Sequence, residues 1–342
     1  MKRKNSNSFL ILLESYFSTY LPISKGLSQA TVKSYKAAFR ILFEFMYSEK
    51  HTNACNIRFE DLTSEVISEF LNWLETERNC SISTRNHRLS VLNAFSEYAQ
   101  NRNFEAAAIF RTSLMKIPLK KSQPTKRSFF TKEEIKLLLA FPDTKTAIGK
   151  RDSALLCFMY ASGARAQEVC DLTVGDVSFY PNKATVKLIG KGQKVRTISI
   201  PADAAAILNS YIQYRKISDK YSNHIFSSQT HEKMTVSCIE EIFFKYVEKG
   251  KSEYPMYFKE NRYTPHSMRH TTATHMLEAG VPLIVVKNFL GHSSVQTTQI
   301  YAEISQSTAD KALKEWNDRW FLKRDISNSI ESESEKIPEF LL

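Results

Sequence analysis

No CxxC pair occurs among the five cysteines Cys55, Cys80, Cys157, Cys170 and Cys238. That absence argues against a redox pair or a cysteine metal site, and the apolar helical surroundings of most of them read as buried, reduced thiols. No apolar run reaches the roughly 18 residues of a membrane span. The FLILL stretch from Phe9 to Leu13 is too short for a secretory core, so the chain is expected to stay in the cytoplasm, away from membranes. His266 and His270 stand four apart, but no Glu or third ligand completes a zinc motif. Arg269 between them would repel a cation, so no metal is expected.

What is present is positive charge on an ordinary globular composition. The 342 residues are 42% apolar and 24% charged, enough to bury two cores. The net charge of +11 and pI near 9.2 favour a polyanionic partner. The charge is uneven: residues 325–342 hold five acids against one base, so the other 324 carry +15. Charge alone fits nucleic acid and ordinary solvated basic faces equally well.

Residues 1–8 are basic and polar and read as disordered. From Phe9 to Ala108 the apolar spacing is helical, with a first amphipathic segment from Phe9 ended by Leu21-Pro22. Ser28 caps a second running from Gln29 to Tyr47. Thr63 opens a third with Val66, Phe70 and Leu74, and a fourth from Ser83 to Tyr98 carries Leu89, Leu92 and Phe95. Four such helices make a small bundle. Lys33, Lys36 and Arg40 recur on one side of the second helix, and Arg85, Asn86 and Arg88 open the fourth. Residues 117–128, IPLKKSQPTKRS, hold Lys120, Lys121, Lys126 and Arg127 between two prolines. They read as an extended linker crossing a phosphate backbone.

The second half begins at Phe129, with Thr131 capping a helix that has Glu133 and Glu134 in its first turn. Two β-rich runs, Ala184 to Ile189 and Lys194 to Ile200, flank Gly190-Lys191-Gly192 and read as a hairpin with lysine at its tip. Helical stretches from Ala202 to Tyr214 and from Cys238 to Val247 complete a mainly α domain with a small antiparallel sheet.

The stretch from Thr264 to Tyr301 concentrates the chemistry. Thr264-Pro265 starts a helix that carries His266 and Arg269 on one face, and Gly280 stops it. Pro282 opens another, with Leu283, Val285, Val286, Phe289 and Leu290 as its apolar residues, and Gly291 ends it beside His292. Ser293 or Ser294 then caps a short helix carrying Tyr301. Arginine and histidine donors suit phosphate oxygens and tyrosine offers an oxygen nucleophile. Taken singly, each residue has a plainer reading. Arg165 makes a salt bridge to Glu168, Lys191 is a solvated turn lysine, His270 and His275 are helix-packing or solvent-side residues, and Tyr301 is a core or surface tyrosine, one of 15.

HSMRH, LGHSS, the tyrosine nine positions after His292, YASGARAQEVCDL and GKGQKVR together resemble the tyrosine recombinase (phage integrase) family over most of residues 125–320. The resemblance implies a core-binding, SAM-like helical domain over 1–116, a linker over 117–128, a catalytic domain over 129–324 and a C-terminal tail over 325–342. It implies a site-specific DNA recombinase of the integrase or transposase kind, joined to DNA through a 3′-phosphotyrosyl bond and needing neither ATP nor Mg²⁺. Arg165, with Glu168 as its acidic partner, and Arg269 match the family's two arginines. Lys191 matches its general acid, His266 its proton shuttle, His292 a donor to a nonbridging oxygen, and Tyr301 its nucleophile. Lys194 and Arg196 are nearby alternatives to Lys191 but are expected on backbone phosphates, as are the cations of residues 33–40, 85–88 and 120–127. The partner is a double-stranded recombination site, bound as a homotetramer by a chain that is monomeric or weakly associated when free. Ala164 stands where the family more often has leucine, and Ala166-Gln167 replaces a commoner small pair; neither touches the chemistry. A type IB topoisomerase and a silent DNA-binding regulator are the alternatives. The apolar tip Ile337, Phe340, Leu341 and Leu342 argues against the first, and the complete residue set against the second.

Overall fold

The structure, a computed structural model, describes residues 7–121, 128–190, 192–260 and 262–291. These fall into two compact units, Met1–Thr125 and Lys126–Leu342, each with its own core.

The first unit is helical throughout. Helix α1 is Ser8–Ser15, capped by the Asn7 side chain, which accepts from the Phe9 N–H. The helix does not end at Leu21-Pro22 as expected. It widens into a π-helical stretch, Tyr16–Ser24, with Pro22 inside it. The wider turn takes up the proline ring, which in an α turn would clash with the carbonyl four residues back. Helices α2, Gln29–Lys50, and α3, Ser64–Thr76, start where Ser28 and Thr63 accept from Thr31 and Val66 N–H groups. Helix α4 is Ile82–Gln100, and a fifth helix, α5, Phe104–Met115, goes beyond the four expected. Phe95 is the hub of this core, ringed by Phe9, Tyr16, Phe39, Phe59 and Phe110 at 5.2–6.3 Å between centroids.

The first residues of the expected linker are not free. The Asn86 amide donates to the Lys120 carbonyl at 2.7 Å and its Oδ1 accepts the Lys120 N–H at 3.1 Å. Arg85 donates to the Pro118 carbonyl, and Lys120 Nζ meets Glu75 at 2.8 Å. The chain leaving α5 is thereby stitched back onto α4.

The second unit opens with α6, Lys132–Ala140, whose Thr131–Glu134 capping box matches the reading of the sequence. Then come α7, Ala147–Ser162, and the short α8, Ala166–Asp171. The sheet has three antiparallel strands in order β1 (Val177–Tyr180), β2 (Lys183–Ile189) and β3 (Val195–Pro201), one more than expected. The β2–β3 register runs from Lys183↔Pro201 to Ile189↔Val195, which leaves residues 190–194 as the turn. Helices α9 (Ala202–Tyr214), α10 (Val236–Glu253), α11 (Pro265–Glu278) and α12 (Leu283–Leu290) follow. One core joins α6–α11 and the sheet. A smaller one packs Ala273 and Leu277 of α11 on Val286 and Leu290 of α12. Val285, expected on that apolar side, is exposed. Of the five cysteines, all free, only Cys170 is buried and Cys55 is exposed, which corrects the expectation of buried thiols. Among the described residues no helix is long and apolar enough to cross a membrane.

Candidate active site

Two chain segments, the turn between α7 and α8 and strand β3, meet at one carboxylate. Glu168, 2% exposed, accepts four hydrogen bonds. Oε1 accepts from Arg165 Nη1 and Arg196 Nη1, and Oε2 from the Arg165 backbone N–H and Arg196 Nη2, all at 2.8 Å. Burial pushes this carboxyl up, but the hydrogen bonds and charge of Arg196 and Arg165 together outweigh it and hold it below the usual carboxylate range. Arg165 comes from the turn after α7, and its side chain keeps 37% of its surface exposed.

The ring continues through main-chain carbonyls. Arg196 Nε donates to the Phe289 carbonyl at 3.1 Å, and Arg269 donates to the next carbonyl, Leu290. The other arm of Arg269 donates at 2.7 Å to the carbonyl of Gly163, two residues before Arg165. Arg269 therefore bridges the C-terminal ends of α7 and α12, where carbonyls lack helical partners and a cation is favoured. Both ends need glycine. Gly163 (φ +56°) and Gly291 (φ +67°) are left-handed, a conformation that costs other residues about 1 kcal/mol. A Cβ at Gly163 would come within 2.6 Å of Leu290 Cδ2, and one at Gly291 within 2.8 Å of Arg196 Cδ.

His266, on the first turn of α11, is exposed, its ring edge-on to that of His270 at 4.5 Å. Ahead of it, buried Glu134 accepts from the Tyr263 hydroxyl at 3.2 Å and from the Phe258 N–H, which anchors the segment entering α11. His275 faces α7, with Nδ1 and the Tyr160 hydroxyl 2.9 Å apart.

The sequence reading assigned Arg165, Glu168, His266 and Arg269 to the site. The structure joins Arg165, Glu168 and Arg269 in one network and puts His266 on the helix that carries Arg269. Lys191, His292 and Tyr301 lie outside the described residues, as do Lys126 and Arg127. Two expected phosphate contacts sit elsewhere. Arg85 is buried, with its Nη1 on the Pro118 carbonyl and Asn86, and Arg196 is 12% exposed and taken up by Glu168. The signal for Arg196 was in the sequence: it shares strand parity with Ile198 and Ile200, which point inward. An inward arginine requires a buried partner. Lys33, Lys36, Arg40, Lys121 and Lys194 are exposed, as is Lys120 beside Glu75; Arg88 is half-buried, with Nη1 near the Ser34 carbonyl. Glu134 is the supporting residue that the sequence reading missed.

Three arginines, Arg165 partly open to solvent, are fixed on a helical unit with a small antiparallel sheet, a donor set of the class that suits phosphate oxygens. The comparisons give that class its family. Residues 128–308 match the phage integrase family and residues 12–111 the phage integrase SAM-like domain. The chain belongs to the phage integrase family of tyrosine recombinases, enzymes of site-specific DNA recombination. It is 32% identical over 302 residues to y4rC of Sinorhizobium fredii, named as an integrase/recombinase, covering 88% of this chain and 90% of that protein. It is 28% identical over 302 residues to tyrosine recombinase XerC of Oceanobacillus iheyensis, covering 86% and 93%. The Tn1549 transposon integrase in complex with transposon right end DNA shares the fold at TM-score 0.67 and 18% identity, covering 90% of this chain and 99% of that one.

Proposed function

We propose that this chain cuts and rejoins DNA at a specific site of a mobile element, with Tyr301 as the nucleophile and a 3′-phosphotyrosyl intermediate. The observation that supports this reading is the Arg165–Glu168–Arg196 network, closed through the α12 carbonyls and Arg269. It holds three guanidiniums in place before any substrate arrives, as stabilisation of a phosphorane requires. Arg165 would meet the scissile phosphate. Arg269 would set the charge and the chain path just ahead of His292, and His266 would take the tyrosine proton. Lys191, which follows Gly190 in the chain, would protonate the leaving 5′-oxygen. The exposed cations Lys33, Lys36, Arg40, Lys120, Lys121 and Lys194, together with Lys126 and Arg127, would meet backbone phosphates. The positive side chains supply the charge that metals supply elsewhere, so the reaction needs no cofactor. The assembly we propose is a homotetramer on paired recombination sites.

The test starts from a duplex selected by the wild-type protein out of a random-sequence pool and nicked beside the bond it cuts. Wild-type protein should become covalently joined to this DNA, and Tyr301→Phe should bind it without joining. Undiminished joining by the Phe variant would move the nucleophile elsewhere.

A further inference from the structure

Arg196 was expected on a DNA phosphate, yet every part of its environment is built against that use. Three of its nitrogens have fixed partners: the two Nη atoms hold both oxygens of Glu168 at 2.8 Å, and Nε holds the Phe289 carbonyl at 3.1 Å. Two glycines make room for the arrangement. A Cβ at Gly291 would come within 2.8 Å of Arg196 Cδ, and one at Gly190 within 3.1 Å of Glu168 Oε1. Glu168 has no capacity left, since an ionised carboxylate offers about four acceptor positions and all of them are taken.

We propose that Arg196 is a positioning residue for DNA cleavage. It shares the Glu168 carboxylate with Arg165, each oxygen accepting one bond from either residue, so that the carboxylate orients Arg165 without drawing it inward. It also ties β3, and with it the turn carrying Lys191, to the end of α12, from which His292 follows directly in the chain. Without Arg196 the buried carboxylate has Arg165 as its one cation, and the guanidinium that should face the phosphate is pulled towards it. This inference rests on the proposed function and concerns the same site. It makes Arg196 matter for rate and not for affinity.

The experiment uses the full chain and the nicked, selected duplex described above, with Arg196→Lys, Glu168→Gln and the double variant. Arg196→Lys keeps the charge but loses the planar fork. Its joining rate at saturating protein should fall about 10- to 100-fold, in the range seen for outer-shell partners. DNA affinity and its salt dependence should stay at the wild-type values. The double variant should be no slower than the slower single one, because the two residues act as a unit. Wild-type joining by Arg196→Lys would overturn the proposal. So would a salt slope shallower by about 0.9 in Arg196→Gln, which removes the charge, since that is the signature of one lost phosphate contact. Should Arg196→Lys melt early, Glu168→Gln decides by the same two readouts, a slower rate at unchanged affinity for the proposal and an unchanged rate against it. Joining that persists in Tyr301→Phe would instead sink the proposed nucleophile, and the Arg196 comparison would still be readable.

Discussion

Arg269 is among the largest fully buried side chains of the described residues, and a buried guanidinium is tolerable only with partners. Two of its partners are carbonyls at helix ends, Gly163 and Leu290, so the residue expected from its motif to serve catalysis also staples α7 to α12. Arg269→Met should therefore lose about 2–4 kcal/mol of stability in chemical denaturation, on top of its loss of cleavage. Tyr301→Phe, in contrast, should lose cleavage without that stability loss. His275 makes a second prediction. Burial lowers its pKa below the ordinary value of 6.5, against the pull of Glu278 and Glu133 and with the push of Lys132. The folded protein thus binds this proton less readily than the unfolded chain. The neutral imidazole's contribution is complete above pH 6.5 and is lost as pH falls below it. Thermal melts from pH 7.5 to 5.5 should show stability declining, and His275→Gln should remove that part of the decline.

At the scale of elements, the second unit is joined by carboxylates placed where helices cross. Asp152 of α7, fully buried, accepts from Arg151 at 2.8 and 2.9 Å. It also accepts from Lys245 at 2.7 Å and the Tyr246 hydroxyl at 2.9 Å, both on α10. Asp152→Asn keeps the shape but removes the charge that three donors converge on. It should cost about 2–3 kcal/mol in chemical denaturation, and an unchanged midpoint would show that the network contributes nothing net. Glu134 does similar work between α6 and the segment leading into α11. Helix identity was legible in the sequence because caps and apolar spacing are local. The π-helical passage through Pro22 was not, because a proline inside an apolar run reads as a stop. What keeps that run helical is burial of Tyr16 and Leu21 against the rest of the unit.

Across the whole molecule, +11 of net charge is matched by cations that stay exposed on both units. Log affinity for duplex DNA should fall steeply with log salt, by about 0.9 for each phosphate neutralised. A flat response between low and moderate salt would remove these residues from the interface. The acidic tail over 325–342 lies outside the described residues and enters as a prediction from sequence. Its apolar tip, Ile337, Phe340, Leu341 and Leu342, is expected to dock on a neighbouring subunit, so deleting residues 326–342 should weaken recombination while single-site binding and covalent joining persist, and full recombination by the truncated chain would discard that docking.

The sequence by itself determined the helical class, the hairpin, most helix starts and the family, because each depends on local periodicity, caps or short motifs. It also paired Arg165 with Glu168, three residues apart, where one helical turn sets the distance. It could not sort the remaining arginines. Arg85 and Arg196 read as contacts to DNA phosphates, and only the tertiary structure showed both to be inside, one on Pro118, 33 residues away, and the other on Glu168, 28 residues away. The physical reason is that a charge is buried or exposed according to whether a partner meets it there, and those partners arrive from chain segments that no local pattern connects.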